Sequence, residues 1–558
     1  MGQSFGCGGG AGSGCDGAGR ESTFVALPAR PPHGAGTGDP RPGPRPLTPH
    51  IHFTPPMSAP PLDSTDDALG VVFPASRNGK RSSSDTGRAI FADALRAVSA
   101  EAAAAAERER NWRRGYLRHA KALVQQALVS PGAANAIALA GLRSVQRRLQ
   151  FERDGSTLTL ESALAQPRAA LGTHVVAGRS KAGPAPIVVP YRGQMLSGDA
   201  LRRQLDRWQH DGALEPSFAQ AIWRVQAAPD WLDLSDQRFL LLGALAEMAP
   251  LPYLLRWRAT VSAVELPRAE LTQKMMRLAQ AGNGTLRLPC RNGDSAGNGS
   301  AEPMCGADLV TETPEIAAWA AGLDGPLTVG AYAYLDGAQH VRVSAAMDAI
   351  QGALAGARND VSLAMLATPT DAYAVPADAL AAARARYAAR GGAVRLGRLL
   401  TLGRGFRANG EPVEGRTDGI GGIVDALVLQ QGPNYVLAKR LQHWRALVAR
   451  QSGTRVSIHV APPSLTRSVT KNRLLAAAYR AAWRFGAEAF EPATAAALMA
   501  ALLVHDLRHP QAVASPQQPL AHPLLLLAEG ACHGGLWRMP YAARSALPAA
   551  ALLGMLKR

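Results

Sequence analysis

The chain has 558 residues, of which 47% are hydrophobic and 18% charged, a balance that excludes a disordered polymer and allows roughly two to four domains. Its net charge of +17 rests almost wholly on scattered arginines without dense basic runs or interleaved aromatics, so nucleic acid is not an expected partner. No apolar run reaches the ~18 residues that span a bilayer. The five cysteines include no C-x-x-C pair, and their odd count argues against a disulfide framework and for a reducing, cytoplasmic setting.

Residues 1–85 are rich in Gly, Pro and Ser and are expected to be disordered. Within them, "MSAPPLDSTDD" at Met57 reads as an ordinary start, which makes residues 1–56 an expected artefact of start-codon choice. From about 86 to 150 apolar residues recur at three- and four-residue spacing, predicting helices on either side of "SPGAAN". Further helices follow between 190 and 230, including "SGDALRRQLDRWQHDG" with its Ser/Asp start and Gly stop. The stretch 86–235 carries no cluster of catalytic residue types and reads as a mainly helical cap or docking region.

The character changes at 237. "RFLLLG" is a short apolar run closed by Gly243, as expected of a buried parallel strand. A helix-length segment to Trp257 follows it, then "ATVSAVEL", a second strand closed by Glu265. "GTLRLPC", "PLTVGAYAYLDG" and "DVSLAMLATPT" read as strands, with helices such as "SAAMDAIQGALAGAR" between them. This alternation predicts an α/β fold, a doubly wound Rossmann-like parallel sheet over 236–510. An insertion at about 377–430 interrupts it, and a tail, 511–558, packs on the domain.

In such a sheet ligands sit beyond the carboxyl ends of the strands, where the strand order switches. Gly243 and Ala244 form the turn in which backbone N–H groups meet a pyrophosphate, and Glu265 stands 22 residues on, where an acid binds an adenosine ribose. The G-x-G-x-x-G fingerprint is incomplete, because Leu245 and Met248 occupy its later glycine positions. On the long helix expected after the insertion, Tyr435 and Lys439 stand one turn apart, sharing a face. With ten Tyr in the chain, the pair gains weight only from what surrounds it. A neighbouring ammonium is expected to lower the phenol pKa toward working pH, as a general acid/base requires.

The order of these pieces resembles the short-chain dehydrogenase/reductase family over roughly 237–480. The matching segments are "LGALAEMA" at 242–249, Glu265, "ADLV" with Asp308, "LATPT" with Thr368 and Thr370, "YVLAK" from Tyr435, and "TRVSIHVAPPSLT" at 454–466. Glu247 and Ala249 replace two turn glycines, Pro463 replaces another, and the N-N-A-G after the fourth strand is absent. The resemblance implies NAD(P)-dependent interconversion of a hydroxyl and a carbonyl on a small organic substrate. Tyr435 would be the acid/base, Lys439 its activator and ribose ligand, and Thr368 or Thr370 the substrate-orienting hydroxyl. Gly243, Ala244, Glu265 and Asp308 would hold the cofactor. Glu265 favours NAD, while Arg268 suits a 2′-phosphate. Homo-oligomerisation is compatible with this reading. S-adenosylmethionine-dependent methyl transfer and a non-catalytic scaffold are the alternatives.

Other candidates carry less. His505 and His509 have the spacing of a helical metal pair but no evident third ligand. Cys290 and Cys305 flank a Gly/Asn-rich loop, and "GACHGGLWRMPY" with His533 and Trp537 reads as a packed terminal loop.

Overall fold

The computed structural model describes residues 69–291 and 305–556. The expectations for residues 1–68 therefore lie outside the described residues. Within 69–85, also expected to be disordered, Gly70–Val72 pairs antiparallel with Gln150–Glu152 and a helix starts at Ser83.

A seven-stranded, mostly parallel sheet organises a mixed α/β structure. Its strands are β1 (Leu171–Ala177), β2 (Arg238–Leu242), β3 (Thr260–Val264), β4 (Thr285–Arg291), β5 (Leu327–Ala331), β6 (Val361–Ala367) and β7 (Arg455–Val460). They lie in the order β7-β6-β5-β2-β3-β4-β1, with only β1 antiparallel to its neighbour. Each of the five apolar runs expected as strands from 237 onward forms one, and the family-matching segment at 454–466 supplies β7. The chain steps outward from β2 to β4, then returns to place β5 on the other side of β2. The strand order thus switches between β2 and β5, whose last residues, Leu242 and Ala331, are register partners.

Both faces of the sheet's centre are covered, which is why β2 is an unbroken apolar run after Arg238 instead of alternating. Leu240 and Leu242 enter one core, with the helices Ser83–Arg96, Trp112–Ala127, Pro131–Arg148, Gly337–Ala357 and Gly432–Gln451. Phe239 and Leu241 enter a second core, with the helices Gly198–His210, Pro216–Ala227 and Pro492–Arg508. The residues between 83 and 148 thus share a core with the sheet, while 171–177 completes its edge. Burying each large side chain of this kind contributes about 1.5–3 kcal/mol.

The helix Gly432–Gln451 starts where Gly432, at φ 78°, turns the chain and Pro433 sets the first helical φ. Two ion pairs fix it. Arg445 grips Asp348 of the helix Gly337–Ala357 through two bonds of 2.7 and 3.0 Å. Arg440 pairs with Asp371, in the turn that follows β6. Asp371 is wholly buried and Arg440 nearly so. The same Asp371 oxygen also accepts the Ala372 N–H at 2.7 Å.

Removing one partner of such a buried pair leaves an uncompensated charge. Arg440→Met should therefore lower stability in urea unfolding by about 3–5 kcal/mol, and Asp371→Leu/Arg440→Met should recover most of the loss. A neutral single substitution would show that the pair does not hold the helix.

Candidate functional site

A cleft of about 390 Å³ opens at the carboxyl ends of β2, β5, β6 and β7. Four segments that directly follow those strands form its wall: 246–249, 331–337, 366–370 and 461–464. The helix Gly432–Gln451 closes one side with Tyr435 and Lys439. Four of the residues expected at the site, Thr368, Thr370, Tyr435 and Lys439, are thereby brought together. A second, apolar cavity of about 80 Å³ shares Thr370, Pro463 and Tyr479 with the cleft and continues toward Phe485, Met539 and Leu547.

The local chain explains this meeting. β6 ends in "ATPTD", where the Thr368 and Thr370 hydroxyls lie 3.1 Å apart. The Tyr373 hydroxyl donates to the Thr368 carbonyl, and Asp371 anchors the turn to Arg440. Along the helix, Tyr435, Lys439 and Gln442 occupy one face. Lys439 Nζ donates to the Leu366 carbonyl at 3.1 Å and to Gln442 Oε1 at 3.0 Å. Gln442 Nε2 donates in turn to the Ala331 carbonyl at 3.4 Å. These side chains satisfy strand-end carbonyls that no further ladder reaches.

The electrostatics run against one expectation. Burial pushes the Tyr435 phenol up to about 12, outweighing the hydrogen bond with Thr368, and the Asp371 charge acts in the same upward direction. Lys439 is not among the groups acting on it. Tyr435 is therefore a neutral hydroxyl at pH 7, not an activated phenolate. Burial also pushes the Lys439 ammonium down to about 8, because its partners are uncharged oxygens that do not offset the loss of water.

The residues expected to hold a dinucleotide are elsewhere and already engaged. Gly243 sits at φ 83°, and a Cβ there would come within 2.4 Å of the Ala333 backbone, so glycine is required by packing. The amides of Gly243 and Ala244 donate to the Val264 carbonyl, that of Ala246 to Gly243, and that of Ala249 to Ala246. The Leu245 amide donates to the Glu265 carboxylate at 3.1 Å. Asp308 accepts the Val310 amide at 2.7 Å and shapes its own turn. Neither Glu265 nor Asp308 joins the cleft wall. The segment after Gly243, expected to be helix-length, forms only a four-residue helix, Leu251–Leu254, and a 3-10 turn, because Pro250 and Pro252 interrupt the pattern. Glu247 reaches into the cleft wall and accepts the Arg467 amide at 3.1 Å. A pyrophosphate needs free N–H donors and positive potential. A turn whose amides are largely spent, with carboxylates at 247 and 265, does not fit one as it stands.

Several site residues escaped the sequence reading. His340, buried in the helix Gly337–Ala357, stacks on Tyr435 with ring centroids 5.6 Å apart and lies 4.6 Å from Tyr334. Its Nδ1 accepts the Leu335 amide at 3.4 Å, which leaves the proton on Nε2, for which the described residues offer no partner. Burial, aided by the Lys439 charge, holds this imidazole neutral. The available signal was the presence of polar residues, among them His340, Arg342 and Asp348, inside a largely apolar helix.

The remaining candidates lie apart. His505 bonds Asp506 at 3.3 Å, and His509 stacks on Trp231. His533 bonds Glu215 at 2.8 Å and stacks on the buried Trp537, so the Gly-rich terminal loop is packed. Cys290 and Cys305 are joined in a disulfide, where the odd cysteine count led to the expectation of none. A spacing of 15 residues carries no motif; the pairing arises because Gly306, next to Cys305, bonds back to Pro289 at the end of β4. Compared with models of protein families, with curated proteins and with solved structures, the chain matches none.

A lysine whose folded pKa lies near 8, against an ordinary 10.5, binds fewer protons in the folded than in the unfolded state between those values. Stability therefore rises with pH across that window, and the desolvation cost is fully present below it. The unfolding free energy of the wild type should gain on that of Lys439→Met between pH 8 and 10, by an amount on the order of 1–3 kcal/mol. Parallel pH profiles would show that Lys439 titrates as an exposed lysine.

Proposed function

We propose that this cleft is an enzyme site that binds a small organic molecule through a carbonyl or hydroxyl oxygen, as a hydroxyl–carbonyl oxidoreductase does. The observation that carries the reading is the convergence of Thr368, Tyr435 and Lys439 on one cleft beside the switch in strand order. The order β7-β6-β5-β2-β3-β4 supports a doubly wound, Rossmann-like sheet, whose ligands gather at that place.

In this reading the Thr368 and Tyr435 hydroxyls bracket the ligand oxygen. Tyr435, held protonated by burial, donates to that oxygen and supplies its proton as negative charge develops there. Lys439 holds the end of β6 through the Leu366 carbonyl, which keeps Thr368 opposite the phenol. NAD or NADP is the redox partner that the family resemblance implies. Its pyrophosphate requires Glu265 to release the Leu245 amide and the 243–249 turn to reopen, so no hydride step is drawn through the closed form.

The two carboxylates at that turn favour a second reading. A cationic, phosphate-free cofactor such as S-adenosylmethionine suits Glu247 and Glu265 better than a polyanion does.

Thermal melting of the full chain with millimolar NAD, NADP or S-adenosylmethionine separates these readings. A ligand at 100 times its Kd adds about 2.7 kcal/mol. A shift with NAD or NADP, together with loss of carbonyl-dependent NAD(P)H oxidation in Tyr435→Phe by at least about a hundredfold, is the expected result. A shift with S-adenosylmethionine alone selects methyl transfer. No shift with any of the three selects a scaffold without these cofactors.

A further inference from the structure

The insertion between the strands Ala372–Pro376 and Ile420–Asp425 contains a helix, Gly392–Leu400, whose amphipathicity is inverted. Val394 joins the aromatic cluster of Phe406, Phe485 and Tyr541, and a Cβ at Gly397 would stand 3.1 Å from the Phe406 ring. These residues define the inward face. Leu396, Leu399 and Leu400, spaced i, i+3, i+4, form a stripe on the opposite side. They are 56%, 71% and 75% exposed. Leu402, just beyond, is 82% exposed and holds a left-handed φ of 50°, a costly conformation for leucine. In the neighbouring turn Ala482–Phe485, Trp483 is 63% exposed with Arg484 over its ring. Single exposed leucines are ordinary; a stripe of three with a fourth just beyond it and a tryptophan nearby is not.

The charges along this segment have one sign. Between Asp378 and Glu411 the chain carries seven arginines and no acidic residue. Arg395, Arg404 and Arg407 are exposed beside the leucines. A second copy of the chain would bring two such basic patches face to face, which like-charge repulsion opposes. Leucine and tryptophan framed by arginine instead match the boundary between headgroups and acyl chains, where apolar side chains enter and cations meet anionic phosphates. Among the described residues no helix is long and apolar enough to cross a membrane, so contact of this kind is peripheral. The aromatic cluster beneath the helix also borders the apolar cavity that continues from the cleft.

We propose that the helix Gly392–Leu400 and the turn after it dock the protein on an anionic lipid surface. The leucines insert and the arginines hold the phosphates. This surface is independent of the cofactor reading above.

The test is co-sedimentation of the full chain with vesicles of phosphatidylcholine alone, or containing about one-third phosphatidylglycerol. The wild type should bind the anionic vesicles, release them as salt rises, and ignore pure phosphatidylcholine. Leu399→Glu/Leu400→Glu and Arg395→Glu/Arg404→Glu should each weaken binding at least about tenfold. Because all four side chains are exposed, melting temperatures should stay unchanged, which separates lost docking from lost folding. Absence of binding to anionic vesicles, or binding that the leucine variant retains, overturns the proposal. So does a concentration-dependent dimer, seen by sedimentation without lipid, that the leucine variant abolishes; the patch would then belong to a second copy.

Discussion

One buried charge pair sets the geometry on which the cleft depends. Asp371 lies in the turn after β6, and Arg440 lies on the helix that carries Tyr435 and Lys439. Two fully desolvated ions cost several kcal/mol each unless geometry and further hydrogen bonds compensate. Here the carboxylate also accepts a backbone amide, so helix and turn are bound in one register. Arg440 is outside the cleft lining, while its neighbour Lys439 is part of it. The pair therefore fixes the distance between Thr368 and Tyr435 without occupying the space between them. Lys439 and Gln442 extend the same logic, tying the helix to carbonyls at the ends of β6 and β5, Leu366 and Ala331.

The first-strand turn shows a different economy. A dinucleotide site keeps its N–H groups open, and the glycines of the usual fingerprint allow phosphate to approach. In this chain the glutamate after β3 fills that role itself, capping the Leu245 amide. Burial raises the Glu265 pKa, with the two backbone hydrogen bonds working the other way. A partly buried carboxyl bonded to its own loop is a structural strut, and it stabilises the closed turn that a pyrophosphate would have to displace. One side of the switch point is thus an open cleft while the other is sealed.

Much of this architecture was legible in the residues. Runs such as "RFLLLG" and "ATVSAVEL" are mostly apolar and small because both faces of their strands are buried, and such short runs bounded by Gly or Glu suit a parallel strand. The grouping of Thr368, Thr370, Tyr435 and Lys439 was implied by the family resemblance that their order along the chain carries. What sequence could not supply was partnership. Whether Glu265 faces a ribose or its own backbone depends on a loop path set by Pro250 and Pro252. Whether Lys439 lowers the phenol pKa depends on where its ammonium points, and it points at Leu366. His340 was hidden because a helix buried on all sides carries no periodic signal to set its polar face apart.

The insertion gains a place in this scheme from its position. It packs through Val394 and Phe406 on the cluster formed by Phe485 and Tyr541. The same Phe485 borders the apolar cavity that shares Thr370, Pro463 and Tyr479 with the cleft. A ligand with an oxygen-bearing end and an apolar remainder would find hydroxyl groups at Thr368 and Tyr435, then a lining almost without polar surface toward Met539 and Leu547. That gradient runs from the sheet toward the residues that support the arginine- and leucine-bearing helix. A helix built only to cover the cleft would turn its leucines inward. Here they face out, while the inward side is Val394 and Gly397, the latter lying directly under the Phe406 ring. The physical chemistry of the two regions is therefore complementary: a cleft that becomes apolar with distance from the strands, and beside its far end a surface suited to the environment in which apolar molecules accumulate.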